Sequence, residues 1–248
     1  MKNLYFSLLF LFSIAINAQE NIEILYQNED YKFTHKAQIL EFIDASMDVS
    51  SEIKIAEYRL IMNKQGKKNL SQTYMEFYDM ALKTGANSFT IEDIKTEDSR
   101  YIVIVSLYNL NEEKMQENFS YYEDNIVVVF GDLNTKNTEK PKGCKINGQK
   151  VEIMPYTYVK NRNEIGGKTK ISVGGFLGSS VTIVGEPNKL ARCLSLGGVS
   201  VLPAGGVGFG PGGAGGGVGV SISTGNIYPM DTSFGLFLMT ILDNGKVE

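Results

Sequence analysis

From Cys193 to Met230 this chain carries no charged side chain and has glycine at thirteen positions. Its densest part, Gly205 to Val220, reads Gly-Gly-Val-Gly-Phe-Gly-Pro-Gly-Gly-Ala-Gly-Gly-Gly-Val-Gly-Val. Glycine loses more backbone freedom on ordering than any other residue and has no side chain to bury. Such a segment cannot stabilise itself, so it is either a mobile surface loop or is held by something that encloses it. Exposed linkers normally carry Ser, Lys or Glu. This one offers Val199, Val201, Leu202, Val207, Phe209, Pro211 and Val218 instead. An apolar stretch of that size fits a partner surface. Small uncharged residues also fill narrow cavities where charged ones would be costly to desolvate. These seven residues, in a glycine-rich loop placed at 197–220, form the candidate partner-binding set.

The chain opens with Met1-Lys2-Asn3, an apolar run from Leu4 to Ile16, and then Asn17-Ala18-Gln19. A basic start, a short apolar region and a small residue before a polar one predict a cleaved secretory signal over 1–18, with a mature start at Gln19. The run is too short to span a bilayer comfortably. No cysteine follows it, which argues against a lipid-anchored start. The aromatic-rich apolar region and the Gln start resemble exported proteins of Bacteroidota. That resemblance implies the periplasm or the periplasmic face of the outer membrane, or else secretion to the cell surface. The most apolar later segments, Tyr101–Tyr108 and Phe234–Leu242, have strand length, so no integral span is expected in the mature chain.

Charge is divided unevenly. Residues 1–143 hold 15 basic and 22 acidic side chains, and residues 144–248 hold 9 and 6. The two halves therefore suit different surroundings. The basic residues of the second half are scattered and not grouped with aromatics, which gives no footing for nucleic-acid binding. Cys144 and Cys193 are the only cysteines. In an oxidising compartment such a pair is a candidate disulfide.

The hydrophobic pattern predicts an α+β chain. The front half, 19–132, reads as a β-α-β-β sheet domain with one or two helices. Strands are expected at Ile22–Tyr26, Glu52–Met62, Ser88–Ile94, Tyr101–Tyr108 and Asn125–Phe130, the fourth of them central and buried on both faces. Helices are expected at 36–47, with Thr34 as N-cap, and at Ser71–Thr84, stopped by Gly85. Ala81-Leu-Lys-Thr-Gly-Ala-Asn87 resembles a helix-to-strand turn of small bacterial envelope domains; Gly85 tolerates φ > 0 there, and Asn87 can bond its own backbone. The polar stretch 133–143 reads as a linker. The remainder, 144–248, shows no clear helix and reads as a β-rich domain, a sandwich or partly open barrel. It has an Asn147-Gly148 hairpin and strands at Val151–Val159, Lys170–Phe176, Ser180–Val184, Val218–Ser223 and Phe234–Leu242.

Nothing in the pattern assembles an active site. His35 is the single histidine, without a neighbouring cluster of ligands, and reads as a solvated residue near a helix start. Gly208–Gly213 has the spacing of a dinucleotide fingerprint, but Pro211 forbids the helix that motif requires. Gly167-Lys168-Thr169 lacks the upstream glycine of a phosphate loop. The paired acids Glu92-Asp93, Glu97-Asp98, Glu112-Glu113 and Glu123-Asp124 read as solvated turns. Only the 92–98 loop is a mild candidate for calcium. No catalytic residue, metal ligand or cofactor is expected. The resulting expectation is a non-enzymatic exported envelope protein, a binding or accessory subunit that acts through protein partners. Alternatives are a periplasmic plug or gate of an outer-membrane secretion channel of the type IX kind, a self-associating surface protein, or a hydrolase with an unrecognised site.

Overall fold

The computed structural model describes residues 21–33, 37–64, 69–174, 178–197 and 227–244. The expected signal, Thr34, His35 and the strand at Val218–Ser223 lie outside them. The chain is α+β and mostly sheet. Among the described residues fourteen strands form three sheets, with three helices. None of these helices is long and apolar enough to cross a membrane.

The first sheet joins β1 (Ile22–Gln27), β2 (Glu41–Phe42), β3 (Ala56–Asn63), β4 (Ser88–Glu97) and β5 (Arg100–Tyr108) in the order β1-β3-β5-β4-β2. β5 is central, as its apolar run predicts. However, only alternate residues along its first half are buried, so that half presents one face to the core. Helix α1 (Leu70–Lys83) covers that core face with Leu70, Tyr74, Phe77, Tyr78 and Ala81. Asn69 starts the helix through a reciprocal pair: its Oδ1 accepts from Gln72 N at 3.0 Å, and its own N donates to Gln72 Oε1 at 3.1 Å. Gly85 ends it at φ +84°, and Phe33 lies so close that any Cβ there would meet its ring at 2.4 Å. Asn87 does not bond its own turn. Its side chain grips both backbone groups of Leu110, beyond β5.

The expected helix at 36–47 is instead an extended segment containing β2. Glu41 N donates to Asn87 O and Ile43 N to Phe89 O, which fastens it parallel to β4. Leu40 and Phe42 enter one apolar cluster, while Ile43 and Met47 enter another with Tyr108 and Leu110. A stripe that looks helical thus serves two cores at once, and tertiary pairing overrides the local period. A helix not expected from the sequence, α2 (Glu112–Tyr121), is N-capped by Asn111, with Glu112 and Glu113 in its first turn, where the helix dipole favours acids.

The third sheet has the order β13-β12-β6-β9-β14 and is built around β6 (Ile126–Asp132). β12 (Arg192–Gly197) runs parallel to β6, and β9 (Thr157–Arg162) antiparallel. β13 (Tyr228–Met230) flanks β12, and β14 (Asp243–Asn244) flanks β9. The strand expected in the front sheet therefore pairs wholly with strands after the 133–143 segment. The remaining sheet, β11-β10-β7-β8, comprises β7 (Lys142–Ile146), β8 (Gln149–Ile153), β10 (Lys168–Val173) and β11 (Ser179–Val184). Asn147 and Gly148 make the expected hairpin at φ 52° and 87°. The strand expected over Val151–Val159 breaks at Pro155-Tyr156. There the chain crosses Gly131 so closely that a Cβ would sit 2.2 Å from Met154 O.

The segment Phe234–Leu242, expected as a strand, belongs to helix α3 (Thr232–Ile241). Asp231 caps it by accepting from Phe234 N at 2.9 Å. Phe234, Phe237, Leu238 and Ile241 all lie in the main core, so α3 is apolar nearly all round because it is enclosed nearly all round. Tyr74 meets Phe234 at 4.4 Å and Phe237 at 5.4 Å between ring centroids, and on another side Gly235 abuts the Cys193 sulfur. Truncating Phe237 removes contacts to both Tyr74 and Phe89. Phe237→Ala is expected to lower unfolding free energy in urea by about 3–5 kcal/mol, whereas Ile165→Ala, at 69 % exposure, stays within about 0.5 kcal/mol.

Candidate functional site

The structure describes the uncharged segment up to Gly197 and again from Ile227. Its seven candidate partner-binding residues, Val199, Val201, Leu202, Val207, Phe209, Pro211 and Val218, lie outside the described residues, but its two attachments are well defined. The strands on either side of it, β12 and β13, are antiparallel neighbours, with Cys193 opposite Met230, Leu194 opposite Pro229 and Ser195 opposite Tyr228. Ser195 and Gly197 are buried, and the Ser195 hydroxyl donates to the Gly197 carbonyl at 3.1 Å. A Cβ at Gly197 would fall 2.4 Å from the Asp132 carboxyl carbon, so only glycine fits beside the end of β6. On the return side, β13 runs directly into the Asp231 cap of α3.

That cap belongs to a buried polar joint. Ser233 Oγ accepts from Phe42 N at 3.2 Å and lies 2.5 Å from Glu41 Oε2, tying the start of α3 to β2. Asn118 Nδ2 and the Tyr122 hydroxyl, both brought by α2, donate to the Phe42 carbonyl. Tyr78 Oη accepts from Leu40 N at 3.3 Å. The backbone of Leu40 and Phe42 is thus held by side chains on or next to each of the three described helices. Burial pushes the Glu41 carboxyl up to about 7; the Ser233 hydrogen bond opposes this and the Asp231 charge adds to it. Burial likewise raises Asp231, against the amides of Phe234, Ser233 and Thr232 that bond to it. The phenols of Tyr74 and Tyr122 are raised well above their usual range by burial, and that of Tyr78 to about 12. The three phenols stay neutral, and Glu41 is the group raised to about 7. Ser233 is 2 % exposed and its oxygen is engaged on both sides, so it fastens α3 to β2 and is not presented to solvent.

The other sequence candidates fall elsewhere. Cys144 and Cys193 are free, buried thiols in different apolar clusters, so the candidate disulfide is not formed. Burial pushes them up to about 11 and about 12, far from thiolate reactivity at neutral pH. The expected 92–98 calcium loop is mostly strand β4. Glu92 is extruded at a bulge toward Lys54 at 3.4 Å, and Glu97 pairs with Arg100 at 2.6 Å. No group of three or more metal-ligating side chains gathers among the described residues. A separate hollow of about 300 Å³ beside the end of α1 is lined by Asn28, Tyr31, Phe33, Tyr58 and Lys83 among others. Sequence reasoning missed the Glu41–Ser233 joint because its partners lie 192 positions apart. The one local signal was Asp231-Thr-Ser-Phe, a helix-start pattern.

Comparison with protein-family models, with curated proteins and with solved structures returns no match to this chain.

A carboxyl whose folded pKa lies above its unfolded value makes the folded state bind more protons than the unfolded one between the two. The stabilisation it allows is complete below about pH 4.5 and is lost as pH rises through about 7. Asp231 contributes in the same direction. Unfolding free energies from urea titration are therefore expected to fall from pH 5 to pH 8, by on the order of 2–3 kcal/mol, and Glu41→Gln flattens that fall.

Proposed function

We propose that this protein is a non-enzymatic, exported envelope protein, a binding or accessory subunit that presents the uncharged 197–220 segment to a protein partner. The observation that carries this reading is the clamp at the segment's base. A long neutral stretch starts and finishes in two neighbouring strands of one sheet, and its return strand is anchored through Asp231 and Ser233 to the far side of the core. Such a base holds the emergence point fixed while the sequence between stays free of charge and of bulky polar groups. A neutral apolar surface is what a partner groove or channel wall admits at least desolvation cost. The signal-like start supports export. The β-rich back half then acts as a sandwich-like base; support comes from the cluster in which Val127, Val129 and Leu194 of one sheet meet Cys144, Ile153 and Ile171 of another.

A photocrosslinking side chain in place of Phe209, used in intact cells, is expected to yield one dominant adduct with an envelope protein. Deleting 203–217 should remove that partner from a pull-down while leaving the thermal midpoint within about 3 °C. Adducts only between copies of this chain, or none, would reject the reading.

A further inference from the structure

We propose that β11 is a pairing edge through which two copies of this chain join, antiparallel across a two-fold axis, into one continuous sheet. Among the described residues every other sheet edge carries a feature that hinders pairing. β1 has Glu23 and a bulge between Ile24 and Tyr26. β2 and β14 are two residues long, and β13 has three residues, one of them Pro229. β8 bears Lys150 and Glu152. β11, by contrast, reads Ser-Ser-Val-Thr-Ile-Val, without charge, proline or bulge, and pairs with β10 in unbroken register over all six residues. Charges, proline, bulges and shortness are the ordinary means by which edges avoid pairing, and β11 has none of them.

The register fixes which groups are offered. Gly185 N donates to Gly167 O at 2.9 Å, continuing the pairing of Val184 with Lys168. Hydrogen-bonded and non-bonded pairs alternate along an antiparallel ladder, so Ile183, Val181 and Ser179 turn their backbone groups toward β10. Ser180, Thr182 and Val184 turn theirs outward. Among the described residues no strand lies on that side. Val181 is buried in the core beneath, whereas Thr182 and Val184 are exposed, the latter at 39 %.

A second copy is the occupant this edge fits. An axis through Thr182 places Thr182 opposite the other copy's Thr182 and Ser180 opposite its Val184. Every outward N–H and C=O then meets its complement, and each pair exchanges both bonds. Opposed threonines are a favourable cross-strand pair. No like charges face each other across the junction, because the nearest cations, Lys168 and Lys170, lie one strand further in on each copy. Self-pairing therefore meets none of the electrostatic opposition that would arise at β8.

Sedimentation equilibrium of the full chain over a concentration series tests this, together with single-cysteine crosslinking. Cys144 and Cys193 are buried and do not compete. Thr182→Cys is expected to form a disulfide-linked dimer under mild oxidation. Ser180→Cys alone should link at least about tenfold more slowly, and should link readily when mixed with Val184→Cys. Thr182→Lys sets two cations face to face on the axis and should raise the dimer dissociation constant about tenfold or more, while its solvent-facing position leaves the urea midpoint unchanged at chain concentrations below that constant. A chain that stays monomeric, or a dimer indifferent to Thr182→Lys with equal linking at 180 and 182, overturns the proposal. So would protection of the outward amides that appears only on adding a foreign extended peptide, which would assign the edge to a donated strand.

Discussion

The strand β6 is the wall shared by the two larger of the three apolar clusters among the described residues. Ile126, Val128 and Phe130 face the large cluster formed by the front sheet, α1 and α3. Val127 and Val129 face the smaller cluster between the two back sheets. The four residues Val127 to Phe130 are at most 1 % exposed, so each contributes about 1.5–3 kcal/mol of burial. The period-two alternation of a strand is what lets one short segment serve both sides. A one-residue slip in its pairing would exchange the two sets, which holds the register of β9 and β12 as well. The end of the strand is equally constrained: Gly131 has Met154 O against it, and Gly197 stands against Asp132.

Because β12 lies parallel to β6, the chain must make a complete crossover before it can pair there. Strands β7 to β11 lie within that crossover: β7, β8, β10 and β11 form the second sheet on the way, while β9 returns to pair with β6. The acidic front and mildly basic back of the sequence thus meet around a seam rather than through a tether. Helix α3 closes the seam from the C-terminal side, with aromatic contacts to Tyr74 and Phe89 and a close approach to Cys193. Its N-terminus is where two raised carboxyls, Glu41 and Asp231, sit beside phenols that remain neutral. Burying acids without a cation partner costs stability when they ionise, and here the cost falls on the contact between β2 and α3.

Much of this was readable locally. The α1 stripe with Gly85, the Asn147-Gly148 hairpin and strands β1, β3, β4, β5, β10 and β11 each announce themselves through period, turn chemistry or both. What was not readable depends on distant partners. Leu40, Ile43 and Met47 have helical spacing, yet Asn118, Tyr122 and Ser233 capture the backbone of Phe42 between them. Phe234–Leu242 is an apolar run too short for periodicity to separate a strand from an enclosed helix. α2 was hidden because its buried face is narrow, limited to Asn118 and Phe119 within the helix. The Glu41–Ser233 joint was invisible for the same reason as β2: neither residue carries a pattern of its own.

The clamp beneath the uncharged segment follows from these constraints. β13 has only three residues, one of them proline, and would be a weak strand alone. It is held because β12 is fixed to β6 on one side and because Met230 leads without a break into the Asp231 cap. Fastening both ends of a long neutral stretch in adjacent strands removes much of the search that a free tail would make before meeting a partner. The same fastening sets the base of that stretch against α3, whose Ser233 is hydrogen-bonded to Glu41. The joint and the base of the segment are close along the chain: Ser233, Thr232 and the Asp231 cap lead directly to Met230 at the end of β13.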